Sequence, residues 1–207
     1  PSVYRPGFHS IRPDSHWFLE QFIPFDYSNQ STIGGRKNSD DLSNGRFGDW
    51  RRAQKSWKPY NPSHDDYQIE GNCRRYTARC LNIGTRHKLI NLRDIEQAFD
   101  EAKKNNPEVL SFCNHDYRDI AEDIHEIYNM IKEVSKKYKQ VKFKWCDARE
   151  AMRNSLNINK SICKFKQIIT KNRFYLKSNK PIFGPQPYLA FKTKKGEYFH
   201  DNFDIQK

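Results

Sequence analysis

Asn114, His115 and Asp116 follow the apolar run Val109-Leu110-Ser111-Phe112-Cys113 without a break, and Tyr117-Arg118-Asp119 lead into a long amphipathic pattern. An imidazole is well suited to hand a proton to a leaving amine or alkoxide near neutral pH. That makes His115 a candidate general acid, with Asp116 or another carboxylate to orient the ring. As a metal ligand His115 would need partners, and His125 sits at the wrong distance for a local pair. As structure, Asn114 and Asp116 would cap the helix and His115 would fill space. The residues alone leave all three readings open. A short buried strand delivering polar groups at its C-terminal end is how parallel α/β sheets and barrels hold their sites. The other histidines (His9, His16, His64, His87 and His200) are dispersed, and no H-E-x-x-H array occurs.

A second group of residues lies between Asn29 and about Asn72, where aliphatics are few and Gly, Ser, Asn, Asp and Arg are many. Loops of this length are uncommon unless functional or disordered. Trp50, Trp57, Tyr60 and Tyr67, with several arginines, give the planar faces and donors that stack on sugar rings or bases. The same rings could equally pin the loop to the body of the domain.

The elements that must position these residues follow from periodicity. Asp14 and Ser15 are N-cap candidates for a short helix that Pro24 stops, with Trp17, Phe18, Leu19 and Phe22 on a shared face. Phe25-Asp26-Tyr27-Ser28 reads as a brief strand or its end. Leu89–Asn105 predicts a helix, capped by Asn91 with Asp94 three residues on, and striped by Leu92, Ile95, Ala98, Phe99 and Ala102. The strand Val109–Cys113 precedes a second helix over Asp119–Tyr138, whose stripe is Ile120, Ile124, Ile127, Ile131 and Val134. Val141–Trp145 alternates as a strand does, and Asp147-Ala148-Arg149-Glu150 looks like a capping box. This rhythm is an α/β pattern with parallel strands. Beyond Asn157 the texture turns to short β-rich pieces (162–169, 173–177, 188–193 and 198–199), which predicts a small antiparallel appendage over 157–207.

The chain has 207 residues and a formal net charge of +12, and 36% of it is hydrophobic with 14% aromatic. A core leaning on large rings is expected. Five cysteines, odd in number and without C-x-x-C spacing, argue against a disulfide framework or a cysteine zinc site. They read as reduced thiols in a cytoplasmic setting. No apolar run approaches the roughly 18 residues of a membrane span. The positive charge suits anionic partners such as nucleic acid or a phosphorylated substrate, although scattered lysines alternating with apolar residues also describe a solvated strand face.

In order along the chain, Arg5-Pro6-Gly7-Phe8, Phe25-Asp26-Tyr27-Ser28 and Leu110-Ser111-Phe112-Cys113-Asn114-His115-Asp116 resemble the later motifs of the NodB-homology polysaccharide deacetylases, carbohydrate esterase family four. The likeness covers roughly residues 1–155, and its flavour is that of the deacetylase-like proteins of surface-polysaccharide and lipopolysaccharide biosynthesis clusters. It implies that residues 1–156 form the C-terminal part of a distorted (β/α) barrel. It also implies metal-dependent amide hydrolysis of an N-acetylated sugar, glycan or nucleotide sugar, in which a divalent metal, usually zinc, activates water.

By position the resemblance makes Arg5, Asp26 and His115 the catalytic set. Arg5 would orient the base, Asp26 would support the acid, and His115 would protonate the departing amine. Asp116, Tyr117, Arg118, Trp50, Trp57 and Tyr60 are the expected substrate-binding residues. The order Arg-Pro-Gly-Phe departs from the family's usual Arg-x-Pro-aromatic. The family's metal residues lie upstream of the arginine motif, so none is expected in this chain, which on this resemblance is either the C-terminal part of a longer protein or a protein lacking the metal half. Two rivals follow: a catalytically inactive carbohydrate-binding protein on the same fold, and a basic nucleic-acid-binding protein.

Overall fold

A computed structural model of the chain describes residues 2–7, 10–33, 48–84, 87–104, 106–115, 117–158, 162–184 and 187–203. The chain divides into two compact units, Pro1–Lys160 and Ser161–Lys207.

In the first unit, β1 (Val3–Tyr4) leads to helix α1 (Pro13–Phe22) and then to β2 (Phe25–Asn29). Arg12 is the N-cap of α1, Pro13 takes the first helical position, and the Ser15 hydroxyl accepts the Arg12 backbone N–H at 2.9 Å. The side chains of α1 that reach the interior are His16 and Leu19, while Trp17, Phe18 and Phe22 stay exposed. The apolar face expected of this helix is thus rotated. Its inner side is set by His16, which bonds two carbonyls of the loop around residue 63.

After β2 the chain makes its long excursion and returns as β3 (Tyr76–Asn82). Helix α2 (Leu92–Ala102), strand β4 (Ser111–Cys113), helix α3 (Ala121–Lys137) and helix α4 (Ala148–Ser155) follow. Asn91 caps α2 and exchanges bonds with Asp94 in a capping box, and Asp147 caps α4 by accepting the Glu150 N–H. Both caps were legible in the sequence.

The four strands form one parallel sheet in the order β1-β2-β3-β4. It is a curled sheet with the character of a partial barrel. Register pairs Tyr4 with Asp26, Asp26 with Thr77, and Asn82 with Cys113. On one face, Leu81 and Ile83 pack with Ile95, Ala98 and Phe99 of α2 and Ile127, Ile131 and Val134 of α3. On the other, Phe25, Tyr27, Ala78, Cys80 and Val109 meet Met152 of α4. Both faces are covered, so β2 and β3 are buried almost throughout, as parallel strands are.

The expected strand Val141–Trp145 does not join the sheet. It forms no ladder with β4 or any other strand. The Val141 N–H donates to the Tyr138 carbonyl at 2.9 Å, and beyond it the anchors are rings: Phe143 lies 5.9 Å from Phe99, and Trp145 lies 6.2 Å from both Phe112 and Tyr128.

The second unit holds two antiparallel hairpins. One pairs β5 (Phe165–Ile169) with β6 (Phe174–Ser178), and the other pairs β7 (Tyr188–Lys192) with β8 (Tyr198–Asn202). Most of their side chains are exposed.

Candidate functional site

Polar side chains gather where β3 and β4 end. Asn114 and His115 follow β4 directly, and His115 is exposed, with its ring 5.3 Å from that of the exposed Tyr117. The loop carrying them is held from α3. The Asp123 carboxylate accepts the Asn114 Nδ2 at 2.6 Å and also pairs with Arg118. Arg118 in turn donates to the Gly84 carbonyl at 2.8 Å, which ties this loop to the one after β3. Of the residues expected to bind substrate, Tyr117 lies beside His115, and Arg118 shares the Asp123 carboxylate with Asn114. Asp116 lies outside the described residues.

Arg5 reaches the same end of the sheet. Its Nη2 donates to Asn82 Oδ1 at 3.2 Å, and the Cys113 thiol donates to that oxygen at 3.1 Å. The Asn82 amide then donates to the His87 carbonyl at 2.7 Å and folds the loop after β3 back on itself. Cys80 lies on the same face. Its hydrogen bond with Cys113 and its burial hold the thiol well above the usual range, the condition of an unreactive structural cysteine.

Asp26 is elsewhere. Its register row crosses β3 at Thr77, five residues before Asn82, the row of Cys113. At about 3.3 Å per residue that is roughly 16 Å along the strand, with His115 two residues further on. The fully buried Asp26 carboxylate accepts Arg75 Nε at 3.1 Å, the Ser28 N–H at 2.9 Å and the Ser28 hydroxyl. Burial pushes the Asp26 carboxyl up, while Arg75 and Ser28 oppose the shift. Arg75 also donates to the His16 carbonyl at 3.2 Å and to His16 Nδ1 at 2.8 Å. His16 Nε2 faces the Ser63 carbonyl at 2.9 Å, so that nitrogen carries the proton and the ring is neutral. The pairing of Asp26 with His115 implied by the resemblance is not assembled, because Asp26 serves Arg75 near the start of the sheet.

The three loop aromatics expected to bind substrate, Trp50, Trp57 and Tyr60, are interior. Trp50 is 1% exposed and packs edge-on against Tyr67 at 5.0 Å, with the ring planes at 71°. Trp57 is wholly buried, donates its indole N–H to the Asp94 carbonyl at 2.8 Å, and lies under the Arg79 guanidinium at 4.3 Å. Tyr60 donates its hydroxyl to the Tyr67 carbonyl at 2.9 Å. These faces are covered by protein, which is the loop-pinning arrangement. Arg79 completes it by reaching Ser31 O, Lys55 O, Gln97 Oε1 and Asp94 Oδ1.

Sequence reading missed Asn82, Asp123, Arg75 and Arg79. Arg79 within β3, and Arg75 just before it, hid the strand by breaking up the apolar character of the stretch. The alternation Thr77-Ala78-Arg79-Cys80-Leu81, ending in Asn82, was the available signal.

A cavity of about 870 Å³ opens beside β4 and is lined by Arg5, Cys113, Phe112, Phe143, Trp145 and Glu108, among others. Burial and the neighbouring Glu101 push the Glu108 carboxyl up to about 7. Among the described residues no group of three or more His, Cys, Asp or Glu could hold a metal ion. The resemblance places the zinc ligands upstream of Arg5, so the described residues do not bear on that zinc. Nor is any helix among them long and apolar enough to cross a membrane. Comparisons with family models, curated proteins and solved structures found no match.

Proposed function

We propose that this chain acts on an N-acetylated sugar or glycan bound at the C-terminal rim of the sheet, with His115 as the proton donor to the departing amine. The observation that carries the reading is the exposed His115 at the end of β4, beside an exposed Tyr117 ring, on a loop anchored through Asp123. A tyrosine face of this kind suits the apolar side of a pyranose. Arg5, fixed by Asn82, supplies a cationic donor on the same end of the sheet for a carbonyl or hydroxyl.

In amide hydrolysis, water adds to the acetyl carbon and the C–N bond breaks. The nitrogen leaves as an amine only if it gains a proton, which a protonated His115 supplies, and acetate is the other product. No step is assigned to a metal.

The second reading is a sugar-binding protein without catalysis. It is favoured by the engagement of Asp26 with Arg75, which leaves His115 without the carboxylate the resemblance would give it. Nucleic-acid binding through stacking fits less well, because Trp50, Trp57 and Tyr60 are buried. A phosphate-driven affinity would also fall steeply with salt.

Titration of the chain with N-acetylated and de-N-acetylated chito-oligosaccharides, followed by NMR, tests the reading. It expects shifts at His115, Tyr117 and Arg5 with the acetylated series and weaker ones without acetyl groups. Equal binding of both series, or shifts confined to other surfaces, would overturn it.

A further inference from the structure

We infer that Asp123 is the positioning residue of this site, the group that holds His115 at the rim. The functional consequence rests on the sugar-amide reading above, while the geometry stands without it. Asp123 lies in the first turn of α3, and its side chain is only 12% exposed. Its Oδ2 accepts from both Asn114 Nδ2 and Arg118 Nη2. Asn114 Oδ1 accepts the backbone N–H of His115 at 2.7 Å, so the anchor on α3 is one side chain away from the His115 backbone. Through Arg118 the same carboxylate reaches the Gly84 carbonyl, on the loop that Asn82 folds back. One acidic group therefore joins the two loops that shape the rim.

Gly84 shows how closely the parts fit. Its φ is +62°, a left-handed conformation that glycine adopts without strain, and a Cβ there would collide with the Asp123 carboxylate. The carboxylate occupies the space a side chain at 84 would take. An alanine at 84 must therefore displace it, pulling Asn114 and Arg118 with it. Charge matters as well as shape, since a single oxygen serves an amide and a guanidinium and charge-assisted bonds are roughly twice as strong as neutral ones. His115 itself has no other anchor of this kind on its backbone N–H among the described residues.

The test compares wild type, Asp123→Ala, Asp123→Asn and Gly84→Ala in two measurements. Amide hydrogen exchange on the chain reads the clamp directly. Exchange across 114–118 should accelerate by about tenfold or more in Asp123→Ala and Gly84→Ala, with β3 and α2 unchanged, because only a local opening is affected. Asp123→Asn, which keeps the shape and one acceptor, should fall between.

Acetate release by the protein reads the consequence. The rate at saturating sugar should drop by about 10- to 100-fold, since small misplacements of a reacting group cost that much, and KM should stay within about twofold. Wild-type exchange at 114–118 in Asp123→Ala would overturn the clamp. A loosened loop with unchanged turnover would overturn the positioning role. If wild type releases no acetate from any N-acetylated saccharide, the sugar-amide reading fails by itself, and the exchange measurement still decides whether Asp123 holds the loop.

Discussion

Replacing Asp26 by leucine removes the acceptor for Arg75 Nε inside a site where both side chains are fully buried. Arg75 would keep the His16 carbonyl and ring nitrogen and a looser contact with Glu20 at 3.6 Å. Its charge would nonetheless be left largely uncompensated in the interior. Breaking a buried pair from one side costs about 3–5 kcal/mol. Arg75→Met instead strands the carboxylate with only the Ser28 donors, and Asp26 would then take up a proton. Its cost should accordingly shrink toward acidic pH.

The double variant removes both charges and leaves only neutral groups short of a partner, the Ser28 donors and the Nδ1 and carbonyl of His16, each worth about 1–3 kcal/mol. It should fall short of the sum of the single costs by about 2 kcal/mol or more, a coupling typical of groups in one network. Urea unfolding followed by the fluorescence of the buried Trp50 and Trp57 supplies the three free energies. Additivity within about 0.5 kcal/mol, as for independent sites, would refute the claim that Asp26 is spent on Arg75.

Three other outcomes follow from the same structure. Trp57→Ala removes a wholly buried indole that roofs Arg79 and bonds Asp94, and should cost about 3–5 kcal/mol. Its effect on sugar binding should come only through folding, so a well-folded variant with lost binding would contradict the assignment. Glu108 has a folded value of about 7 against an ordinary 4.5, so the native state holds more protons across that window and stability declines as pH rises through it. Glu108→Gln should therefore gain Tm over wild type at pH 8.5 and lose that advantage by pH 4.5; a pH-independent difference would count against the burial argument. Burial and Arg75 hold His16 below its usual value, so the unfolded chain protonates first, and stability should fall as pH drops below about 6.5. His16→Gln should remove this part of the acid-side slope in a Tm series, and an unchanged slope would assign it to other groups.

Local signals were the most legible part of the chain. The Asn91–Asp94 cap, most of the stripes of α2 and α3 and the Asp147 cap all depend on residues three or four apart, although Leu92 and Ile124 of those stripes are exposed, and the helices lie within a few residues of their expected ends. The strand delivering His115 was legible too, because an apolar run ending in polar residues is itself a local pattern. What escaped was long-range. Arg75, just before β3, and Arg79 within it are buried, their acceptors come from positions as distant as Asp26 and Ser31, and nothing near them in sequence announces that they will be paired. Trp50, Trp57 and Tyr60 show the converse. Their types suit a stacking platform, yet the carbonyls and guanidinium that receive them are placed by α2 and β3. Val141–Trp145 has strand periodicity, but its rings are captured by Phe99, Phe112 and Tyr128 and its backbone stays outside the ladder.

Acetate release from an N-acetylated chito-oligosaccharide by the protein, in wild type and His115→Ala, tests the central claim most directly. Loss of a general acid should lower the saturating rate by about 10²–10⁴, while saccharide affinity stays within about threefold, under 1 kcal/mol. Acetate release at the wild-type rate in His115→Ala would contradict the account.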